Sequence, residues 1–114
     1  MAYILTMTPE EQLVAFKEWP DEEVCKLLAS RIRHLRLENA HTQESLSTLA
    51  NVPLRTFKRF ENDGKATLET FIKILRALDR IQYLHLLLTS NTPRVTSAYE
   101  EKITRARARW QRPV

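Results

Sequence analysis

The 114-residue chain holds one cysteine and one glycine. A single cysteine, Cys25, excludes an intramolecular disulfide framework and any CxxC pair of zinc ligands. The expectation for that odd thiol is a buried, inert side chain in a cytoplasmic protein. One glycine excludes a Gly-rich phosphate loop and is too few for an all-β fold with many tight turns. Long apolar runs are missing as well. The stretch Leu86-Leu87-Leu88 falls far short of the roughly 20 residues a membrane span needs, so no membrane partner is expected. His34, His41 and His85 have no metal-ligand spacing and no acidic partner pattern, and solvent or core roles fit them better. No Walker, zinc-protease or nucleophile-elbow pattern occurs, which leaves no metal, cofactor or catalytic residue to expect.

What is present is ordinary for a folded domain: 43% hydrophobic and 28% charged residues, with a formal net charge of +4. That charge is graded along the chain. Residues 1–24 carry a net of −5, residues 25–64 of +3, residues 65–90 of +2 and residues 91–114 of +4. An acidic start with a basic middle and end is compatible with a polyanion partner.

Local signals predict an all-α fold. Thr8 is placed to cap a helix that has Pro9 at its first position and Glu11 reaching back to close a capping box. The helix runs to about Glu18, where Trp19-Pro20 breaks it. Asp21, Glu22 and Glu23 open a second helix with negative charge where its dipole favours it. Val24, Leu27, Leu28, Ile32 and Leu35 form its buried stripe, with Arg31, Arg33 and Arg36 on other faces. Thr42 caps a third helix containing Leu46, Leu49 and Ala50, interrupted by Asn51-Val52-Pro53. A short fourth helix holds Leu54, Phe57 and Phe60 and ends at Asn62-Asp63-Gly64. Thr67 caps a fifth, with Leu68, Phe71, Ile72, Leu75 and Leu78 on one face. Ile81, Leu84, Leu87 and Leu88 mark a sixth. Only Tyr3-Ile4-Leu5-Thr6-Met7, short and terminal, has strand character. The expected organisation is an N-terminal extension over 1–20, a central domain over 21–90 and a basic segment over 91–114.

The stretch from Gln43 to Asn62 fits the steric rules of two short helices crossing steeply. Counted from Gln43, the fifth residue must be small where the second helix crosses, and it is Ser47. The ninth must accept a left-handed backbone, and it is Asn51. The fifteenth must be apolar to pin the helices together, and it is Phe57. Leu46, Ala50, Val52 and Phe60 fill the remaining core positions, and Pro53 opens the second helix.

Here the chain resembles the lambda-repressor-like, Xre-type helix-turn-helix regulators. The resemblance rests on Arg31 to Arg36, on Thr42 to Leu46, on Ala50-Asn51-Val52, on Arg55 to Asn62 and on Leu68 to Leu78, and covers about residues 24–88. It departs from the family pattern with Asn51 for the usual glycine, Phe57 for the usual aliphatic residue, and Asp63 inserted before the loop glycine. The resemblance implies a DNA-binding repressor, acting as a homodimer on a pseudo-palindromic site of double-stranded DNA.

Pro53, Leu54, Arg55, Thr56 and Arg59 are the base-reading candidates at the start of the second helix. Arg55 and Arg59, four apart on one face, suit guanine edges, with phosphate contact as the alternative. Leu54 suits a thymine methyl or plain core packing. Gln43, Lys58, Asn62 and Lys65 are the phosphate candidates, Gln43 through the family's clamp at a helix N-terminus. Arg36 and Glu61 match the family's structural arginine–glutamate pair. At the C-terminus, Ser97 to Glu100 reads as a capping box, and Tyr99, Ile103, Ala106 and Trp110 form a narrow apolar stripe. Lys102, Arg105, Arg109 and Arg112 flank that stripe. It is either a solvated basic tail or a helix docking through Tyr99, Ile103 and Trp110 on the domain, a second subunit or a partner. The flanking helices and arginine-rich end are similar to HipB-type antitoxins, which implies a HipA-like toxin as a partner. A different reading of the same fold is a protein-interaction module that does not read DNA.

Overall fold

The computed structural model describes residues 6–90 and 97–109, with residues 97–100 described by their backbone alone. All regular structure among these residues is helical: α1 (Pro9–Glu18), α2 (Asp21–Glu38), α3 (Gln43–Ala50), α4 (Leu54–Asp63), α5 (Leu68–Ala77), α6 (Tyr83–Leu88) and α7 (Ser97–Arg109). No helix of the described residues is long and apolar enough to cross a membrane. Of the terminal stretch with strand character, Thr6 is helical and Met7 a bend. A lone strand has no neighbour to take its backbone hydrogen bonds.

The chain divides into two compact units, residues 1–24 with 93–114, and residues 25–92. In the first, the Glu11 amide donates to Thr8 Oγ1 at 3.2 Å, and Trp19 leaves the helix with extended backbone before Pro20. The reciprocal half of the capping box does not form. The Glu11 carboxylate instead lies 3.5 Å from Arg109 Nη2. α7 packs on α1, with Ile103 and Ala106 buried beside Val14 and Leu13. Arg107 Nε reaches Glu18 Oε1 at 2.6 Å.

This corrects the reading of Ile103 as a contact for a partner or second subunit, because its side chain is spent inside the unit. Trp110 lies outside the described residues, as does the side chain of Tyr99. The graded charge has a corresponding outcome. This unit contains 7 basic and 8 acidic residues, so the acidic start and basic end compensate each other to a net of −1. Residues 25–92 hold 11 basic and 6 acidic residues, a net of +5.

The second unit is built around one core. Ala29 and Ile32 from α2, Leu46 and Ala50 from α3, Val52 from the turn, Phe57 and Phe60 from α4, and Ile74, Leu75 and Leu78 from α5 are all buried in it. Phe60 and Phe71 meet as tilted rings with centroids 6.0 Å apart. The stripe of α5 is Phe71, Ile74, Leu75 and Leu78, not one led by Leu68. Leu68 is the first helical residue after the Thr67 cap, ahead of the core, and is 72% exposed. Cys25 is also exposed, against the expectation of a buried thiol. It stands in the first turns of α2, ahead of the core residues Ala29 and Ile32.

A chain with one glycine still has to end its helices. It does so by placing Ala40, Asn51 and Asp79 at φ 57°. After each, the next amide reaches back five residues: His41 to the Arg36 carbonyl at 3.0 Å, Val52 to that of Ser47 at 2.9 Å, and Arg80 to that of Leu75 at 2.8 Å. Gly64, at φ 72°, closes α4.

Candidate functional site

α3, the turn at residues 51–53 and α4 form the part of the second unit that carries most of the candidate residues. Thr42 Oγ1 accepts the Ser45 amide at 2.9 Å and so fixes the start of α3. Ser47 is 3% exposed and its Oγ donates to the Glu44 carbonyl at 2.9 Å. A small hydroxyl that satisfies itself locally lets the two helices pack closely without leaving a buried polar group unpaired.

Asn51 takes φ 57° and ψ 46°. Val52 then turns inward and is buried, while Pro53 precedes α4 with extended ψ and stays exposed. Asn51→Val is expected to lower the stability of the domain by roughly 1–2 kcal/mol, because a β-branched side chain resists the left-handed region. Thermal unfolding measures it, and an unchanged melting temperature would mean that the turn tolerates a branched side chain.

α4 separates its two faces sharply. Phe57 is 0% exposed and Phe60 3%, and both enter the core. At 3.6 residues per turn, Lys58, Asn62, Arg55 and Arg59 share an arc of about 100° on the opposite side. All four are exposed. Arg55, Lys58 and Arg59 make no ion pair with any described residue, nor does exposed Lys65 beyond the helix end. Leu54 and Thr56 are half-buried at the edge of this face, so Leu54 shares itself between packing and solvent.

Behind that face lies a polar network that holds α4 in place. Arg36 Nε and Nη2 donate to the two carboxylate oxygens of Glu61 at 2.8 and 3.2 Å, a bidentate pair. Their side chains are 8% and 2% exposed. Arg36 Nη1 donates to the His41 carbonyl at 2.9 Å, and Gln43 Nε2 donates to Glu61 Oε1 at 3.0 Å. The end of α2, the start of α3 and the last turn of α4 are thereby joined. Arg36 sits in the interior and not with exposed Arg31 and Arg33 on the outer faces.

Sequence reasoning places Gln43 at a phosphate but misses its bond to Glu61. The amide has a second N–H, so anchoring to Glu61 and presenting a donor at the start of α3 are compatible. Two further contacts escape the sequence reading. Exposed His34 Nε2 lies 3.1 Å from Glu38 Oε1, an acidic partner at the i,i+4 spacing, and His41 Nδ1 shares a 2.7 Å hydrogen bond with Ser45 Oγ. Among the described residues no group of three His, Cys, Asp or Glu side chains is arranged to hold a metal ion.

No family model, no curated protein and no solved structure matches the chain.

Proposed function

We propose that residues 25–92 form a lambda-repressor-like helix-turn-helix domain that binds double-stranded DNA. In this reading α4 enters the major groove and the chain acts as a dimeric transcriptional repressor of the Xre type. The observation that carries it is the two-sided α4. One side is locked to α3 and α5 by Phe57 and Phe60, and the other presents Arg55, Lys58, Arg59 and Asn62 together to solvent. Cations packed this closely without an internal counterion repel one another, and a polyanion lying along the face relieves that repulsion. The net charge of +5 on this unit acts in the same direction.

Each residue then has a role by reach. Arg55 and Arg59 have the length and the planar donor fork to pair with the O6 and N7 of guanine, and Leu54 and Thr56 border them for apolar or hydroxyl contact with bases. Pro53, ahead of α4, sets where the helix meets the groove. Lys58, Asn62, Lys65 and the second N–H of Gln43 contact phosphates and set the register. Binding, not bond-making chemistry, is the activity that this arrangement performs.

Selection of binding sites from random duplexes supplies the cognate sequence. On that sequence Arg55→Ala and Arg59→Ala are each expected to lose about 1–3 kcal/mol, with far smaller losses on random DNA. Equal losses on both DNAs would reassign the two arginines to phosphates. Failure of selection to enrich any sequence, with binding insensitive to salt, would favour the protein-interaction module instead.

A further inference from the structure

The four large apolar side chains of α6 are the densest exposed patch among the described residues: Tyr83 is 53% exposed, Leu86 51%, Leu87 69% and Leu88 79%. The other exposed leucines, Leu37, Leu49 and Leu68, stand singly on three different helices, which is ordinary for a protein surface. α6 itself is seated. Leu84, with Ile81 just before the helix, packs against the core of the second unit, so the patch belongs to an element fixed in position. Exposed apolar clusters of this kind mark interaction surfaces.

The character of the partner follows from charge. Between Arg80 and Arg94 there is no Lys, Arg, Asp or Glu, the longest such stretch in a chain that is 28% charged. A two-fold contact sets each residue against itself or its near neighbours, so a charged patch would repel its own copy. A charge-free apolar patch is suited to self-association, whereas an acidic or basic partner would find nothing on it to read.

We infer that the exposed face of α6, centred on Tyr83 and Leu87, is the surface through which two copies of this chain associate. The inference rests on the repressor reading for its purpose, which is to hold two α4 helices for two half-sites. Patches of this kind cover on the order of 300–600 Å², against roughly 800 Å² per partner in a standard interface. The dimer is therefore weak in free solution and is completed on DNA, where one bound subunit raises the effective concentration of the next.

Sedimentation of the full chain without DNA, over a wide range of concentration, tests the surface independently of DNA reading. The wild type should shift from its 13.4 kDa monomer toward twice that mass. Leu87→Lys should raise the dimer dissociation constant by roughly tenfold or more, since it places like charges in an apolar contact. Leu68→Lys, on an equally exposed leucine of α5, should leave the constant unchanged, and circular dichroism should report both variants folded. A wild type that stays monomeric at every concentration overturns the inference, and so does a Leu87→Lys protein that dimerises like the wild type. Neither result touches the DNA reading, which falls only if the Arg55 and Arg59 variants bind cognate DNA as the wild type does.

Discussion

Removing either partner of the Arg36–Glu61 pair is expected to cost about 3–5 kcal/mol, a large share of the roughly 5–15 kcal/mol that holds a domain of this size together. Both side chains are almost wholly buried, at 8% and 2% exposure, so the survivor cannot recover its lost charge partner from water. In Glu61→Leu the guanidinium keeps only the His41 carbonyl, and Gln43 loses its acceptor. In Arg36→Met the carboxylate keeps only the Gln43 amide. Arg36→Lys should recover little, because an ammonium on a flexible stem cannot donate to both carboxylate oxygens and to His41 from one position. The double replacement Arg36→Met with Glu61→Leu is the informative control. Apolar groups of similar volume remove the buried charges together, so the double variant should be more stable than either single one. Urea unfolding of the four proteins closes the cycle, and additive losses would show that the two groups act independently.

Gly64→Ala should be comparably damaging, at about 2–5 kcal/mol, from a left-handed backbone and a steric overlap acting together. Gly64 has φ 72°, and its amide closes α4 by donating to the Phe60 carbonyl at 2.8 Å. A Cβ built there would stand 2.8 Å from the carbonyl carbon of Cys25 and 2.9 Å from both its oxygen and the Lys26 nitrogen. These are backbone atoms of a helix, which cannot swing aside as the tip of a long side chain can. Gly64→Asn separates the two causes, since asparagine accepts the left-handed region but still carries the Cβ. If overlap dominates, the alanine and asparagine variants melt together, well below the wild type. An alanine variant that melts with the wild type would mean that α2 and the end of α4 do not approach this closely.

These two predictions fall on residues whose importance was unevenly legible. Glu61 and Arg36 were paired through a family resemblance, while hydropathy alone set Arg36 among the outward arginines of α2. Gly64 read as punctuation at the end of α4. Its close approach to Cys25 involves a segment about forty residues away, and no local pattern encodes such a distance. By contrast, Ser47, Asn51 and Phe57 were each named from their place in a steric rule. The structure finds the first buried at a helix crossing, the second left-handed and the third without exposure.

What the sequence determined by itself is what neighbouring residues can settle. Thr8, Thr42 and Thr67 each accept the amide three residues on, at 3.2, 2.9 and 3.1 Å. Trp19 is extended because Pro20 follows it. The amphipathic split of α4 follows from helical spacing alone. These features depend on short-range hydrogen bonds and sterics, so they are written within a few positions of where they act. Tertiary structure decided the rest: that Ile103 is covered by Val14, that the acidic and basic ends of the chain compensate each other, and that Cys25 stays in solvent. It also decided which leucines of α6 and α5 remain outside the core. The physical reason is that periodicity identifies an apolar face without identifying what covers it. Burial and ion pairing belong to pairs of elements, and which elements meet is a property of the whole chain.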